Sequence, residues 1–465
     1  MAELLFHGAA GEVTGSMHMV RVDGRWVALD CGLYQGHRAE AEEKNRQWPV
    51  SPKDISAVLL SHAHIDHSGR LPRLVRDGFE GVVYCTPATR DLCAFMLPDS
   101  AYIQQEDVFY VNKRRARRGL GPVEPLYDDN DALGAIRLMH GTPFGRWFQV
   151  VPGMRACFRD AGHMLGSAGV HLELASRNGK TPSLYYSGDV GRPDKPIIRD
   201  PTPFPPVDVL LCESTYGARV NESAEEARQE FIDILCRTHE RGGKVIIPAF
   251  SVGRTQTIVY YIQEEMVAGR IPRMPVFVDS PMSCDATEVF VAHPECYDAD
   301  ARDLQRQTGG LLAGRMFTYI RDVQESKRLH RRRRPCIIIS ASGMCEAGRI
   351  RHHIKNNIRS PKNTILIVGF QPAHTLGRRL ADGAKSINLF HQKFRVRAEV
   401  VQIHGFSAHA DQADLLRLIT ARREEVERVF LIHGEPEQSE VLADKLRASG
   451  LPQVELGQRG RRVEL

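Results

Sequence analysis

Four side chains of the types that bind metals lie within six residues near the start of the chain. The stretch "SHAHIDHSG" contains His62, His64, Asp66 and His67, directly after an apolar segment. Residues two apart in an extended segment point to the same side, so His62 and His64 can reach one ion. Asp66 and His67 follow where the chain turns into a helix-like segment, and their side chains face a neighbouring position. One loop therefore offers two ligand sets, as a site for two metal ions requires.

The ligand types indicate which metals fit. Imidazole and carboxylate groups suit zinc, and manganese and iron accept the same groups. A single histidine is most often a core or surface residue. Four ligand-type side chains at the end of one predicted strand are rarely explained by packing, so we interpret this loop as a metal site.

Three further residues are candidates for the same site. His163 in "DAGHMLGSAG" and Asp189 in "YYSGDVG" lie in glycine-flanked turns on either side of a predicted β-hairpin. A carboxylate such as Asp189 can bridge two cations, with one oxygen facing each. Asp30, at the end of the predicted strand "WVALD", is placed to accept a ring N–H from a ligating histidine. An ordinary aspartate in a turn after a strand is the alternative interpretation of Asp30.

The elements that must position these residues alternate along the chain. From about residue 209 the apolar runs "VLLCEST", "KVIIPAF", "VFVDS", "CIIISASG" and "TILIVGF" are separated by helix-like segments. Such alternation predicts a parallel sheet covered by helices. Asn178-Gly179 predicts the tight turn of the hairpin. The Gly-Lys-Thr that begins at Gly179 is no phosphate loop, because Leu174 stands where the first glycine belongs, and we expect no nucleotide cofactor.

Length and composition set the class of protein. A chain of 465 residues with 42% hydrophobic and 26% charged residues is typical of a globular protein with two or three domains. The first residues lack a basic segment followed by an apolar one, and no apolar run is long enough to span a bilayer. The ten cysteines form no CxxC pair. We therefore expect a cytoplasmic protein with no membrane partner.

The charge distribution is a weaker indication of the ligand. The net charge is +5, and arginines cluster in "KRRARR" at 113–118 and in "HRRRR" at 330–334. A basic surface favours polyanions such as nucleic acid. A solvated charged surface without a ligand is the alternative interpretation.

Taken in order, the early motifs resemble those of the metallo-β-lactamase superfamily. These are the "LD" that ends at Asp30, "SHAHIDHSG", His163 and Asp189. The resemblance implies an α/β fold, namely a four-layered αββα sandwich with a binuclear zinc site at one edge. Ala63 stands where flavodiiron proteins of this superfamily usually carry a carboxylate, which argues against a redox di-iron site.

The later motifs resemble the β-CASP nuclease branch of that superfamily. Glu213 in "LLCESTYG", His409 in "GFSAHAD" and His433 in "VFLIHGE" match its three additional motifs in order, and "ASGMCEAGR" and "GFQPAHTLGRRL" are also similar. The chain is most similar to bacterial relatives of the endonuclease subunit that cleaves pre-mRNA before polyadenylation. His374 stands where relatives often carry glycine. His404 has the same sequence context as His409, and the resemblance assigns it a structural role.

The resemblance also implies a domain order. Residues 1–211 would form the first part of a metallo-β-lactamase domain and residues 212–392 an inserted β-CASP α/β domain. Residues 393–465 would return to complete the first domain.

The resemblance implies a zinc-dependent ribonuclease that hydrolyses RNA phosphodiester bonds through a hydroxide bridging two Zn²⁺ ions. The implied metal ligands are His62, His64, Asp66, His67, His163, Asp189 and His433. Asp66, Glu213 and His409 are the implied catalytic residues, with His409 as a general acid that Glu213 orients. Asp30 would support a ligand from outside the coordination sphere.

Four alternatives stay open at this point. A DNA-processing β-CASP enzyme usually lacks histidine at the last motif position, so His433 favours RNA. A small-molecule metallohydrolase leaves the inserted segment and His409 without a role. A non-catalytic RNA-binding scaffold does not need a full ligand set, so the complete set in this sequence argues against that alternative. A 5′ exoribonuclease of the ribonuclease J type carries an additional C-terminal domain. This chain ends soon after His433, which favours endonucleolytic cutting.

Overall fold

The computed structural model describes residues 2–36, 38–175, 181–221, 223–369, 371–372, 374–451 and 453–465. By contacts between Cα atoms the chain divides into two compact units. The first unit contains Met1–Lys195, Asp200–Val220 and Ala408–Leu465, and the second contains Pro196–Arg199 and Asn221–Ser407.

The described residues form 22 strands. In chain order they are β1 (Glu3–Gly8), β2 (Met17–Val22), β3 (Arg25–Leu29), β4 (Ile55–Leu59), β5 (Val82–Cys85), β6 (Met139–Gly141), β7 (Trp147–Val151), β8 (Met154–Asp160), β9 (Ala168–Leu174), β10 (Ser183–Tyr186), β11 (Val207–Glu213), β12 (Lys244–Pro248), β13 (Val276–Val278), β14 (Phe317–Tyr319), β15 (Cys336–Ser340), β16 (Thr364–Val368), β17 (Ser386–Leu389), β18 (Gln392–Arg395), β19 (Glu399–Ile403), β20 (Val426–Ile432), β21 (Val454–Leu456) and β22 (Arg462–Glu464).

The same residues form 14 α-helices, with short 3₁₀ turns at Pro52–Asp54 and Pro294–Cys296. The helices are α1 (Arg38–Asn45), α2 (Ile65–Ser68), α3 (Leu71–Arg76), α4 (Pro87–Ala116), α5 (Asp129–Arg137), α6 (Ala224–Glu240), α7 (Arg254–Val267), α8 (Pro281–Ala292), α9 (Ala299–Thr308), α10 (Val323–Arg331), α11 (Ile350–Asn357), α12 (Leu376–Ala381), α13 (Gln412–Thr420) and α14 (Pro436–Ala448). No described helix is both long and apolar enough to cross a bilayer.

Two seven-stranded mixed sheets build the first unit. Their strand orders are β22-β1-β2-β3-β4-β5-β6 and β21-β20-β11-β10-β9-β8-β7. The main core lies between the sheets, where Phe6 and Val27 of one pack with Val170 and Phe430 of the other. The rings of Phe6 and Phe430 are 5.1 Å apart between centroids. Burial of these alternating apolar side chains holds the two sheets face to face.

Helices cover the outer faces of the two sheets. On the second sheet, Leu210 and Leu431 pack against Leu415 of α13 and Leu442 of α14. Helices α2 to α5 lie in the chain between strands β4, β5 and β6 of the first sheet. The layer order is αββα, which confirms the fold class that the sequence predicts.

The second unit contains a six-stranded sheet of order β14-β13-β15-β12-β16-β19, and every pairing in it is parallel. Its central strands are buried on both faces because both faces are covered, as in other parallel sheets. Strands β17 and β18 form a separate antiparallel hairpin. Four of the five predicted runs, "KVIIPAF", "VFVDS", "CIIISASG" and "TILIVGF", therefore form the predicted parallel sheet. The prediction was wrong for "VLLCEST", because that run forms β11, which pairs with β10 and β20 in the first unit.

Three details of the sequence predictions concern this fold. The proposed domain boundaries are 211/212 and 392/393, and the division by contacts lies at 220/221 and 407/408. The second boundary lies later because β19 pairs in parallel with β16 of the second unit. Strands β9 and β10 pair antiparallel as a hairpin does, and the predicted Asn178-Gly179 turn lies outside the described residues. His374 has a φ of 68°, a left-handed conformation that glycine adopts at little cost.

Candidate metal centre

The candidate ligands follow the carboxyl ends of strands, all of them in the first unit. His62 and His64 follow β4, Asp189 follows β10, and His433 directly follows β20. His163 lies in the loop between β8 and β9. Loops beyond the carboxyl ends of strands are the usual location of sites in α/β proteins, because polar side chains can converge there without disturbing the sheet.

The first ligand set consists of three histidines and a carboxylate. Nδ1 of His64 lies 3.1 Å from Nε2 of His62 and 3.2 Å from Nε2 of His163. Oδ2 of Asp189 lies 3.5 Å from both Nε2 atoms. Four ligand atoms therefore converge on one small volume, and three of the four residues are buried.

The second ligand set consists of Asp66, His67 and His433. Nε2 of His67 lies 3.0 Å from Nε2 of His433. Oδ2 of Asp66 lies 3.6 Å from Nε2 of His433 and 4.0 Å from Nε2 of His67. Helix α2 supplies Asp66 and His67 together, because it begins at Ile65, directly after His64.

Asp189 lies between the two sets. Its Oδ2 faces the first set, whereas its Oδ1 lies 3.2 Å from Nε2 of His67 and 3.4 Å from Nδ1 of His433. The Asp189 side chain is 2% exposed, so solvent does not solvate this charge. Each carboxylate oxygen thus faces a different group of ligand atoms.

Asp30 holds the second set from behind. Its Oδ2 lies 2.7 Å from Nδ1 of His67, and its Oδ1 accepts the backbone N–H of Ser61. The hydroxyl groups of Ser61 and Tyr186 donate to Oδ2 of Asp30. An N–H donated from Nδ1 of His67 leaves the lone pair of that ring on Nε2, which faces Asp189.

Three positioning residues were missed by the sequence analysis. Ser61 Oγ lies 2.9 Å from Nδ1 of His62, Thr215 Oγ1 lies 3.1 Å from Nδ1 of His433, and Tyr186 contacts Asp30 as described. Each lies within three residues of a predicted site residue in the sequence. Serine, threonine and tyrosine are too common for their type alone to have identified them.

Burial sets the protonation state of the first set. It lowers the pKa of His62 and of His163 well below the ordinary histidine value, and it lowers the pKa of His64 to about 4. These three rings are neutral at pH 7, and a neutral ring has the lone pair that binds a metal.

The second set favours a positive charge. Burial acts to lower the pKa of His67, but the carboxylates of Asp189 and Asp30 hold that pKa well above the ordinary value. The two carboxylates therefore stabilise a positive charge at Nε2 of His67. Either a proton or a bound metal ion can supply that charge.

The spacing of the nitrogen atoms tests whether zinc fits. Two nitrogens on one tetrahedral zinc ion are about 3.3 Å apart, given Zn–N distances of about 2.0–2.1 Å. The closest nitrogen pairs in the two sets are 3.1, 3.2 and 3.0 Å apart. The donor types and their spacing fit a metal-binding cluster of this kind.

His409 and Glu213 lie next to the cluster. Nδ1 of His409 lies 3.1 Å from Oε1 of Glu213, and its Nε2 lies 3.9 Å from Oδ2 of Asp189. Glu213 is fully buried and also accepts the backbone N–H of Val190, which fixes the carboxylate. Burial acts to lower the pKa of His409, but Glu213 and Asp189 together raise it to about 9.

Helix α13 fixes the loop that carries His409. Asp411 caps this helix, and Asp411 and Asp414 form a reciprocal capping box. Ala410, next to His409, donates its backbone N–H to the carbonyl of Val190. The chain is therefore held directly after His409. His404 is exposed and belongs to the second unit.

The sequence matches three family descriptions along the chain. Residues 10–144 match the metallo-beta-lactamase superfamily, residues 255–380 match the Beta-Casp domain, and residues 393–456 match the Zn-dependent metallo-hydrolase RNA specificity domain.

Relatives match over nearly the whole chain. The ribonuclease TTHA0252 of Thermus thermophilus is 36% identical over 95% of this chain and 95% of its own length. The transcription termination factor FttA of Methanocaldococcus jannaschii is 30% identical over 95% of this chain and 68% of its own length. A solved protein of unknown function from Enterococcus faecalis V583 shares the fold, with a TM-score of 0.56 at 12% identity over the full length of both chains.

The fold and the cluster define a metallohydrolase of the metallo-β-lactamase superfamily. Within it, the chain belongs to the β-CASP family of RNA-processing metallonucleases. This confirms the family resemblance that the sequence motifs indicate.

Proposed function

We propose that the chain is a zinc-dependent endoribonuclease that holds two zinc ions. One observation carries the proposal. Asp189 directs its two carboxylate oxygens at different ligand sets, and the His409–Glu213 pair lies against the same carboxylate. A metallohydrolase that acts on small molecules would leave the His409–Glu213 pair without a role.

Each residue of the cluster has a proposed role. His62, His64 and His163 would hold one ion, Asp66, His67 and His433 would hold the other, and Asp189 would contribute one oxygen to each. Asp30 holds the ring of His67 through Nδ1 and thereby directs Nε2 at the ion. When bound, the ions lower the pKa of a water molecule to about 7 and stabilise negative charge on the phosphate.

His409 is the proposed general acid. Glu213 fixes Nδ1 of the ring, so Nε2 is the nitrogen that faces the cluster. A hydroxide derived from water forms a bond to phosphorus as the bond from phosphorus to the 3′ oxygen breaks, and Nε2 donates its proton to that leaving oxygen. Glu213 compensates the charge of the protonated ring before the reaction and holds the ring in place afterwards.

RNA is the proposed substrate, and cutting is proposed to occur within the strand. The match of residues 393–456 to an RNA specificity domain and the ribonuclease among the relatives support RNA. All ten cysteines are free, which suits the reducing cytoplasm that we propose as the location.

Metal analysis and cleavage assays on the purified protein test this proposal. Zinc is measured by elemental analysis, and cleavage is measured on labelled linear RNA, circular RNA, DNA of the same sequence and a thioester. We expect zinc in the protein and cleavage of both RNA forms, lost when a chelator removes the metal and restored by added zinc. Preferred hydrolysis of the thioester or of DNA contradicts the substrate class. Degradation of linear RNA beside intact circular RNA contradicts the endonucleolytic mode.

A further inference from the structure

A strongly basic surface of the second unit has no role in the proposed reaction. Between residues 351 and 398 the sequence has ten Lys and Arg residues and one acidic residue, Asp382. Seven of these cations lie in the β17–β18 hairpin, in the chain that flanks it, in α11, or two residues after the end of α11. We call them the hairpin surface, and they are Arg351, Lys355, Arg359, Lys385, Lys393, Arg395 and Arg397.

The hairpin is held by its apolar side. Side chains alternate along its strands, so that Ile387, Leu389 and Phe394 are buried in a core cluster with Ile350 and Ile354 of α11. Asn388, Lys393 and Arg395 lie on the other side of the strands and are exposed. Packing therefore directs the charged side chains of the hairpin toward solvent.

The charge of this surface is not neutralised within the described part of the chain, where none of its seven cations has a carboxylate oxygen within 4.0 Å. Asp382 and Glu399 are the acidic residues closest to the hairpin in the sequence. Asp382 pairs with Arg378, and Glu399 pairs with Arg237 and Arg241. Such uncompensated positive charge favours a polyanion.

Two adjoining cavities mark this surface. One of about 730 Å³ is lined by Arg351, Asn388, Phe390, His391 and Lys393. The other, of about 690 Å³, is lined by Arg359, Lys385, Ser386, Lys393, Arg395 and Arg397. Lys393 lines both cavities, so the cationic lining is continuous from one to the other.

The turn of the hairpin has an unusual sequence. Phe390 and His391 connect the strands with φ values of 50° and 61°. A two-residue turn with both φ values positive strongly prefers Asn-Gly, and bulky residues there are strained. Retained strain of this kind is typical of residues that contact a ligand.

The turn also forms a stack of flat groups. The ring of Phe390 stacks on His352 with centroids 4.5 Å apart and planes at 29°, and Cζ of Arg351 lies 4.8 Å from the Phe390 centroid. His352 is exposed and is the outer ring of this pair. Partial desolvation and the neighbouring His353, Lys355 and Arg351 lower the pKa of His352, so its ring is neutral at pH 7. Neutral rings and guanidinium planes are the groups on which unpaired bases stack.

We propose that the hairpin surface is a binding site for single-stranded RNA, in which the cations follow the phosphates and a base stacks at His352 and Phe390. This inference rests on the proposed function only in taking RNA as the ligand. An acidic protein segment would use the cations but would gain nothing from the aromatic stack.

The first variant tests stacking while keeping the hairpin folded. Phe390→Asn/His391→Gly installs the preferred turn sequence, so the thermal unfolding midpoint should stay the same or rise. Fluorescence anisotropy compares a short labelled RNA with an abasic RNA of equal length. We expect RNA binding to weaken about 5- to 100-fold and abasic RNA binding to change little.

The second variant tests the phosphate contacts. Lys393→Gln/Arg395→Gln should reduce the slope of log K against log salt by about 1.4, or about 0.7 for each lost contact. Arg302→Gln/Arg306→Gln removes the same charge from exposed positions of α9 in the same unit and should leave the slope unchanged.

Three outcomes overturn this inference. The first is wild-type RNA affinity in the turn variant, and the second is an unchanged salt slope in the Lys393/Arg395 variant. The third is that polyglutamate binds the wild-type protein as tightly as RNA does and that its affinity falls in the same variants. Cleavage of the same RNA is measured in parallel. Binding as expected without cleavage would contradict the proposed function alone, and cleavage with unaltered binding in the variants would contradict this inference alone.

Discussion

Nδ1 of His409 lies 3.1 Å from Oε1 of Glu213, although 196 residues separate the two in the sequence. Glu213 ends β11 and is fully buried, whereas His409 lies in a loop and is partly exposed. The contact fixes one nitrogen of the ring and leaves the other facing Asp189. This division between a nitrogen that Glu213 orients and a nitrogen that faces the cluster is what a general acid requires.

His409→Ala should keep the metal and lose turnover. None of the proposed ligands is changed, so zinc content by elemental analysis should equal that of the wild type. Single-turnover cleavage should fall by roughly 10²–10⁴-fold, the usual contribution of a positioned proton donor. An RNA with sulfur in place of the leaving 3′ oxygen should recover most of this loss, because a thiolate leaves without a proton. Zinc loss in this variant, or an equal defect on both substrates, contradicts the assignment.

Asp189→Ala should lose metal from both positions. Its two oxygens face different ligand sets, so removing it takes a ligand from each set and removes the negative charge that would stabilise both cations. Elemental analysis of the folded variant measures this. Asp444→Ala is the control, because Asp444 is an exposed aspartate of α14 in the same unit. Full zinc occupancy in Asp189→Ala would show that Asp189 does not bridge.

His433→Ala should weaken one of the two ions selectively. Its Nε2 belongs to the second set only, so we expect two classes of zinc affinity in a chelator titration, one of them lowered by about 10-fold or more. His404→Ala, which removes an exposed histidine of similar sequence context, should titrate as the wild type does. A uniform loss of both ions would instead make His433 a structural residue of the whole cluster.

Asp279→Asn should destabilise the second unit in a pH-dependent manner. Asp279 is buried and contacts Ser326, Arg349 and His353 through its carboxylate. Burial acts to raise its pKa, but these three partners outweigh burial and lower it. A lowered folded-state pKa stabilises the fold above the unfolded-state value of about 3.9, and this stabilisation is lost as pH falls through the folded-state pKa.

The expected loss for Asp279→Asn is about 3–5 kcal/mol at pH 7, the usual cost of breaking a buried ion pair by removing one partner, here the buried carboxylate that pairs with Arg349. Denaturant unfolding should show this loss at pH 7, with the difference from the wild type shrinking as the pH falls below 4. Asp382→Asn removes an exposed aspartate that pairs with Arg378 and should cost less than about 1 kcal/mol at any pH. A pH-independent difference would mean that shape, and not charge, explains the Asp279 effect.

The sequence alone determined the candidate ligands of the short loop, whereas the order of the layers was implied by the family resemblance. His62, His64, Asp66 and His67 occupy one short loop, and side-chain direction along a strand is set by local geometry. The alternation of apolar runs and helical segments predicted the parallel sheet of the second unit for the same reason. Chemistry or periodicity that is local in the chain can be predicted from the chain.

The tertiary structure alone decided which distant residues meet, and with which atoms. Asp189 is 123 residues from Asp66, and only the packing of two sheets shows that its Oδ1 and Oδ2 face different histidines. The contacts of Ser61, Tyr186 and Thr215, and the strained Phe390-His391 turn, are decided in the same way. Common residue types give no local signal, and backbone strain is retained only where the surrounding packing imposes it.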